Sequence, residues 1–229
     1  MTFIHDFISL IYPNICAACG NSLWKHEKII CTFCDLHLPR TDFHLERDNP
    51  VSRIFWGRVL IESAGSLYYF NKGNRVQSLI HQLKYKGRKD IGIWLGEKYG
   101  SYLKNSPFFD TVSLIVPVPL HKKKLMQRGY NQSEQFAIGL SRSMNIPLDV
   151  RALYRTRATE TQTRKSRFRR WQNVEGLFAV NDPAKLSGHH ILLVDDVITT
   201  GATIEACIQA LKDIPGTVIS VASIAVTLL

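Results

Sequence analysis

The hydrophobic pattern changes period several times along the chain, and those changes predict its elements. Residues 2–11 are apolar at helical spacing around His5 and Asp6 and stop before Pro13, which reads as a short amphipathic helix docked on the body. Residues 37–56 have no period and carry Pro39 and Pro50, which reads as a linker. Residues 59–70 are rich in β-branched and aromatic side chains, with Gly65 as a bend, and predict strand. Val76, Leu79, Ile80 and Leu83 repeat at helical spacing behind a capping pair, Asn74 and Gln77. Ile91, Trp94, Leu95, Tyr99 and Leu103 line one side of a second helix. Residues 112–118 predict a buried strand ended by Pro117 and Pro119, because proline removes a ladder donor. A cationic loop, 121–129, leads to a helix opened by Asn131 and Glu134 and carrying Phe136, Leu140 and Met144. Short strands are expected at 148–154 and 178–180 and a β-rich run at 217–228, while 155–173 is polar, basic and aperiodic.

The most informative stretch is 191–203. Four apolar residues, Ile191 to Val194, suit a strand buried on both faces of a parallel sheet. Asp195 and Asp196 end that strand, and Thr199, Thr200, Gly201, Ala202 and Thr203 follow. Ile204, Cys207, Ile208 and Leu211 then repeat at helix spacing, with Cys207 as a small core residue. Strand, acidic pair, small-residue loop and helix start describe a ligand site at the carboxyl end of an α/β strand. The loop can aim N–H groups, hydroxyls and the helix dipole at a phosphate. The carboxylates would reach ribose hydroxyls, or a metal holding them. An ordinary buried strand with an Asx turn is the plainer alternative, but clustering two charges costs free energy that such a turn does not explain.

Strands alternate with helices from residue 59 onward. That predicts an α/β fold with a mostly parallel sheet flanked by helices. At 229 residues the chain has room for one domain and a small module, expected at 51–229 and 1–50. No apolar run is long enough to cross a bilayer and no signal peptide is evident, so the expected location is cytoplasmic.

Charge sharpens this picture. The net charge is +10, yet sixteen of the 29 basic residues lie in three stretches, 84–89, 121–128 and 151–170. Local positive charge suits an anionic ligand better than a uniformly solubilising surface. Solvated lysine runs are the alternative for Lys122, Lys123 and Lys124, while Arg128, beside Gly129 and a helix start, points to a site. Lys84 and Lys86 add two more cations. The basic residues are interleaved with Tyr85, Tyr130, Phe168 and Trp171, a composition that suits a backbone groove with stacking platforms for single-stranded nucleic acid.

Cys16, Cys19, Cys31 and Cys34 form two Cys-x-x-Cys pairs. Two such knuckles give a closed, structural tetrahedral Zn²⁺ site of zinc-ribbon type. Disulfides and a redox motif are the alternatives, and the paired spacing favours zinc.

Residues 191–203 resemble the phosphoribosyl-pyrophosphate (PRPP) signature of type I phosphoribosyltransferases. Nearly the whole chain resembles the ComF family through four features in order: the double Cys-x-x-Cys, Leu-Lys-Tyr-Lys-Gly at 83–87, Arg-Gly-Tyr-Asn-Gln at 128–132 after Val-Pro-Val-Pro, and the 191–203 signature; Thr161-Gln162 within the basic loop is a fifth. The resemblance implies a type I phosphoribosyltransferase-like domain behind a zinc module. It implies a pyrophosphate loop containing His121, Lys122 and Arg128, and a hood or lid over 155–173 with Thr161, Gln162, Arg164 and Lys165. Asp195 and Asp196 would be catalytic, residues 199–203 would bind PRPP or a related ribose phosphate, and Mg²⁺ would accompany PRPP. As an enzyme such a protein is a pentosyl-transferring glycosyltransferase that displaces pyrophosphate; no residue set identifies its acceptor. The family's association with natural transformation implies DNA-uptake proteins and single-stranded DNA as partners, and a non-catalytic DNA-handling role as the alternative.

Overall fold

A computed structural model describes residues 14–71, 73–156 and 176–228. The helix expected at 2–11 and the lid residues Thr161, Gln162, Arg164 and Lys165 lie outside the described residues, as do Phe168 and Trp171.

Four strands form one parallel sheet among the described residues: β1 (Ala64–Tyr69), β2 (Leu114–Pro117), β5 (His190–Ile198) and β6 (Val218–Val226), in the order β1-β6-β5-β2. Leu148 bridges in parallel to Ile115 at the β2 edge. A separate antiparallel pair, β3 (Leu153–Arg155) and β4 (Phe178–Val180), lies outside this sheet.

Period-2 alternation on β5 divides the core. Leu192 and Val194 point to one layer, with α3 (Arg75–Tyr85), α4 (Lys89–Leu103) and α6 (Gln132–Met144). Ile191 and Leu193 point to the other, with α7 (Ala202–Leu211), Phe178 and Phe55. Helices α4 and α6 cross in contact at glycines. A Cβ on Gly96 would lie 2.1 Å from the Phe136 carbonyl, and one on Gly139 would lie 2.1 Å from the Ile93 carbonyl. No side chain fits either position.

The described structure departs from the sequence expectations in five places. The strand expected at 148–154 is a bridge at Leu148, a turn, and then β3 from Leu153. Strand β1 begins at Ala64 rather than 59, and Gly65 sits inside it, where a Cβ would strike the Tyr99 hydroxyl. Residues 37–56 are not a linker. Directly after α1 (Thr32–His37), they hold a 3-10 turn at Phe43–Leu45 and α2 (Pro50–Arg53). The buried Asn49 organises this segment: its Oδ1 accepts from the N–H groups of Val51 and Ser52, and its Nδ2 donates to the carbonyls of Phe43, Glu46 and Ala64. A single buried amide with five partners replaces hydrophobic period as the ordering device.

The stretch 121–129 is helical rather than a loop: α5 spans Lys122–Arg128, capped by His121 and closed by Gly129 at φ 75. Its Lys, Leu, Met, Gln and Arg residues are good helix formers, and its lack of any buried residue hid it from pattern reading. Finally, β5 runs on to Ile198, so the acidic pair lies within the strand. Asp195, Val197 and Ile198 stay in register with Ser223, Ala225 and Val226 of β6.

The cysteine segment packs on the body. Cys16, Ala17, Cys34 and Leu38 share the first core layer with Leu79 and Leu83. The Ala17 carbonyl accepts from Ser78 Oγ at 2.9 Å and Gln82 Nε2 at 2.6 Å, and Lys98 pairs with Asp35.

Candidate functional site

The acidic pair sits near the C-terminal end of β5, where parallel strands present a crevice to ligands. Asp195 and Asp196 are both half-buried. Asp195 Oδ1 accepts from Ser133 Oγ at 2.9 Å and from the Asp196 N–H at 2.8 Å. Burial, and then the charge of Asp196, push the Asp195 carboxyl up to about 7, against the opposing pull of those two donors and of Lys84. Asp196 Oδ1 lies 3.0 Å from Lys84 Nζ, with the two side chains 14% and 20% exposed. The carboxylates therefore hold different partners: one is hydrogen-bonded from the first turn of α6 and from its own strand, the other is ion-paired from the end of α3.

Beyond β5 the chain turns over Thr199 and Thr200 into α7. Residues 198–204, with Asp195 and Val197, line a small pocket around the α7 N-terminus. Thr199, Thr200, Ala202 and Thr203 are exposed, whereas Gly201 is buried. Gly201 takes φ 75, and a Cβ there would meet Ile54 Cγ2 at 2.7 Å and Phe55 Cε1 at 2.9 Å. Glycine is needed twice over, for the left-handed backbone and for the close approach. Arg58 clamps this loop from outside. Its Nη1 donates to the Thr200 carbonyl at 2.8 Å and the Ile54 carbonyl at 3.0 Å, and its Nη2 pairs with Glu205.

The basic side of the site gathers at the end of α3. The Leu83 carbonyl accepts from the Tyr130 hydroxyl, Lys84 pairs with Asp196, and Tyr85 carries the Arg128 guanidinium over its ring at 5.1 Å. Arg128 Nη1 also donates to Gln132 Oε1 at 2.7 Å, and Lys89 Nζ sits 5.2 Å from the Tyr130 ring centroid. Three consecutive residues thus tie together β5, α5 and the turn that leads into α6. His121 and Lys122 are exposed at the other end of α5, where the His121 ring accepts from the Lys123 N–H. Lys86 faces away, along a groove with Gln82, Arg88 and residues 15–20.

Sequence reasoning named Asp195, Asp196, the 199–203 loop, Lys84 and Arg128, and the fold brings these to one end of the sheet. It missed Ser133 and Arg58. Ser133 stands in the first turn of α6, directly after the Arg-Gly-Tyr-Asn-Gln stretch, so its position offered a signal. Arg58 lies 142 residues from the carbonyl it holds and gave none.

The four cysteines form a second centre. Their sulfurs all lie within 4.8 Å of one another, with Cys19 and Cys31 at 3.8 Å. A tetrahedron with Zn–S bonds of about 2.3 Å has edges of about 3.8 Å, so the cluster is spaced to hold one metal ion. Burial pushes the Cys16 thiol up, but N–H donors from Cys19, Cys31 and Ala18 outweigh it and bring it down to about 7. Burial holds Cys31 and Cys34 above the ordinary thiol value.

Comparison with known proteins bears on the family. Residues 131–227, from the α6 cap through β6, match the family described as phosphoribosyl transferase domain. DNA utilization protein YhgH of Escherichia coli (strain K12) is 30% identical over 89% of this chain and 86% of its own length. Competence protein ComFC of Bacillus subtilis (strain 168) is 27% identical over 89% of this chain and 81% of its own. Competence protein F of Haemophilus influenzae is 35% identical over 43% of each. The fold is a phosphoribosyltransferase-like α/β sheet carrying a four-cysteine cluster, and the chain belongs to the ComF family, together with YhgH and ComFC.

Proposed function

We propose that the protein binds PRPP at the end of β5 and acts in the handling of incoming DNA. The observation that carries this reading is the convergence of Asp195 and Asp196 with the Thr199–Gly201 turn and the cations Lys84 and Arg128. In it the two carboxylates accept the ribose hydroxyls, and the loop and the α7 N-terminus receive the 5-phosphate. Arg128 faces the diphosphate, with His121 and Lys122 farther along α5. Mg²⁺ would accompany PRPP, with Asp195 and Asp196 as the residues here that could help hold it beside the ribose, and would supply charge neutralisation to the departing diphosphate.

The reaction open to such a site is substitution at the ribose anomeric carbon. The bond from C1 to the diphosphate oxygen breaks, that oxygen keeps the electron pair, and an acceptor forms the new bond at C1. The transition state is oxocarbenium-like, so carboxylates near the ribose stabilise it. A lid over 155–173, with Thr161, Gln162, Arg164 and Lys165, would exclude water. The acceptor is a separate question. The direct experiment is calorimetric titration of PRPP with and without Mg²⁺, followed by an acceptor screen read as diphosphate release. Absence of PRPP binding to well-folded protein overturns the reading.

A second reading is a non-catalytic handler of single-stranded DNA on the same fold. Its support is the exposed Lys122, Lys123 and Lys124 in α5, whose other end carries Arg128 over the 58% exposed Tyr85, together with the names of the DNA utilization and competence relatives. Binding of this kind is salt-dependent, with log K falling against log salt by about 0.7 per phosphate contacted, and a flat response removes it.

We also propose that the metal in the cysteine cluster is structural Zn²⁺, that residues 1–50 form the module and 51–229 the phosphoribosyltransferase-like domain, and that the protein works in the cytoplasm. Four thiols poised for a metal suit a reducing compartment. Among the described residues no helix is long and apolar enough to cross a membrane.

A further inference from the structure

The contact between Lys84 and Asp196 stands where a ligand has to enter. Asp196 Oδ1 is within 3.0 Å of the Lys84 ammonium, and both side chains are largely withdrawn from solvent. A ribose hydroxyl cannot use that oxygen fully while the ammonium holds it. Nor can the ammonium be left unpaired inside the crevice without cost. A ligand that takes the carboxylate must therefore give the ammonium another anion.

We propose that Lys84 is a counter-ion exchanged by the ligand: it rests on Asp196 in the free protein and passes to the diphosphate when the ribose hydroxyls of PRPP take over that carboxylate. This rests on the PRPP reading above and adds a specificity determinant to it.

Three features suit Lys84 to this exchange. Its ammonium is a compact charge on a flexible four-carbon stem, so it can move without losing a fixed geometry. It sits in the last turn of α3, where the carbonyl end of the helix favours a cation in either position. Its neighbour in the same cluster is the opposite case: Arg128 is pinned by Gln132 at 2.7 Å and lies over Tyr85. Arg128 is a fixed cation for the diphosphate and Lys84 a movable one. No covalent bond changes in the exchange; one ion pair replaces another.

The exchange sets a preference among ribose phosphates. Ribose 5-phosphate has the hydroxyls and the 5-phosphate but no diphosphate. It must break the Lys84–Asp196 pair and offers the ammonium nothing in return. Lys84 thus favours PRPP and opposes ribose 5-phosphate, two effects of opposite sign from one side chain.

The test is calorimetric titration of both ligands at fixed Mg²⁺ into wild type, Lys84→Gln and Lys84→Arg. Lys84→Gln should weaken PRPP about 10- to 100-fold, the scale of a hydrogen bond to a charged group, and tighten ribose 5-phosphate severalfold. Lys84→Arg should recover part of the PRPP preference. Both ligands weakening together, or PRPP affinity unchanged in Lys84→Gln, overturns the exchange. A second measurement needs no variant to fold. In wild type, inorganic diphosphate should raise the affinity for ribose 5-phosphate, and by linkage the reverse should hold equally. Absence of that coupling also overturns the exchange. Wild type that binds neither PRPP nor ribose 5-phosphate overturns the PRPP reading itself, and the exchange with it.

Discussion

The cysteine cluster and the acidic pair are both concentrations of ionisable groups, and they balance charge in opposite ways. The cluster draws its groups from nineteen residues of chain, 16–34, all four sulfurs lie within 4.8 Å, and one metal ion would satisfy every one of them. The acidic pair holds two adjacent carboxylates with no metal-like arrangement of its own. Its charge is offset by Lys84, 112 residues away in sequence, and its hydrogen bonding by Ser133, 62 residues away. A centre that is complete in itself contributes to folding. A centre that borrows its balance from other elements can exchange that balance for a ligand.

The largest effect should come from breaking the first centre. Cys31→Ser leaves three thiolates where four are needed. Metal content measured by elemental analysis should fall from about one ion per chain to near zero, because structural Zn²⁺ supplies much of the folding free energy of a small module. The melting temperature should fall as well, since Cys16, Ala17 and Cys34 share their core with Leu79 and Leu83 of α3. A wild-type protein free of metal after purification from metal-replete medium would contradict this.

The second centre should respond in the reverse manner. Asp195→Asn combined with Asp196→Asn should reduce PRPP affinity by about 100-fold or more, since two charged hydrogen bonds are lost. The melting temperature at neutral pH should hold within a few degrees, because a repulsive pair is removed along with the Lys84 ion pair. Calorimetry and thermal melting on one sample separate the two outcomes. Loss of fold with loss of binding would place the pair with the cysteines, as a stabilising centre.

The same contrast explains what could be read from the sequence. The cysteine spacing and the run 191–203 are local, so chemistry and position appear together in the chain. The parallel sheet was legible because β2 and the first half of β5 are continuous apolar runs. Asn49 was not, since one buried amide orders residues 43–55 through five hydrogen bonds and leaves no period. Helix α5 was missed because it buries nothing. The end of β5 was misplaced because its register with Ala225 and Val226 depends on β6, not on its own composition. Ser133 and Arg58 act across 62 and 142 residues, a relation that only the fold supplies.

A smaller effect should follow from tightening the loop beside the acidic pair. Gly201→Ala forces a Cβ onto a backbone at φ 75 and within 2.7 Å of Ile54. The expected loss of stability is about 1–3 kcal/mol, the range for overpacking and for left-handed strain. PRPP affinity should fall with it, because Thr200 and the α7 N-terminus shift. Arg58→Ala should weaken binding with a smaller loss of stability, since it releases the Thr200 carbonyl without adding bulk. Chemical denaturation and calorimetry on the two variants distinguish a loop that is badly packed from one that is badly aimed.

The smallest effect is a tilt in the dependence of stability on pH. Asp195 is raised to about 7 by burial and by Asp196, from an ordinary carboxyl value of about 4. Between those two values the folded protein binds more protons at this site than the unfolded chain. Stability from this group therefore falls as pH rises through that window and is flat below it. Asp195→Asn cannot titrate. Its melting temperature relative to wild type should rise from pH 4 to pH 8. The cysteine cluster predicts the opposite tilt, because thiolate ligands must lose protons to hold a metal and bind it more weakly as pH falls. Wild type carries both trends, so the comparison has to be made as a difference between the two proteins. A difference that stays constant across the window would mean that Asp195 is ionised throughout, and that its carboxylate is already as well satisfied as the four sulfurs.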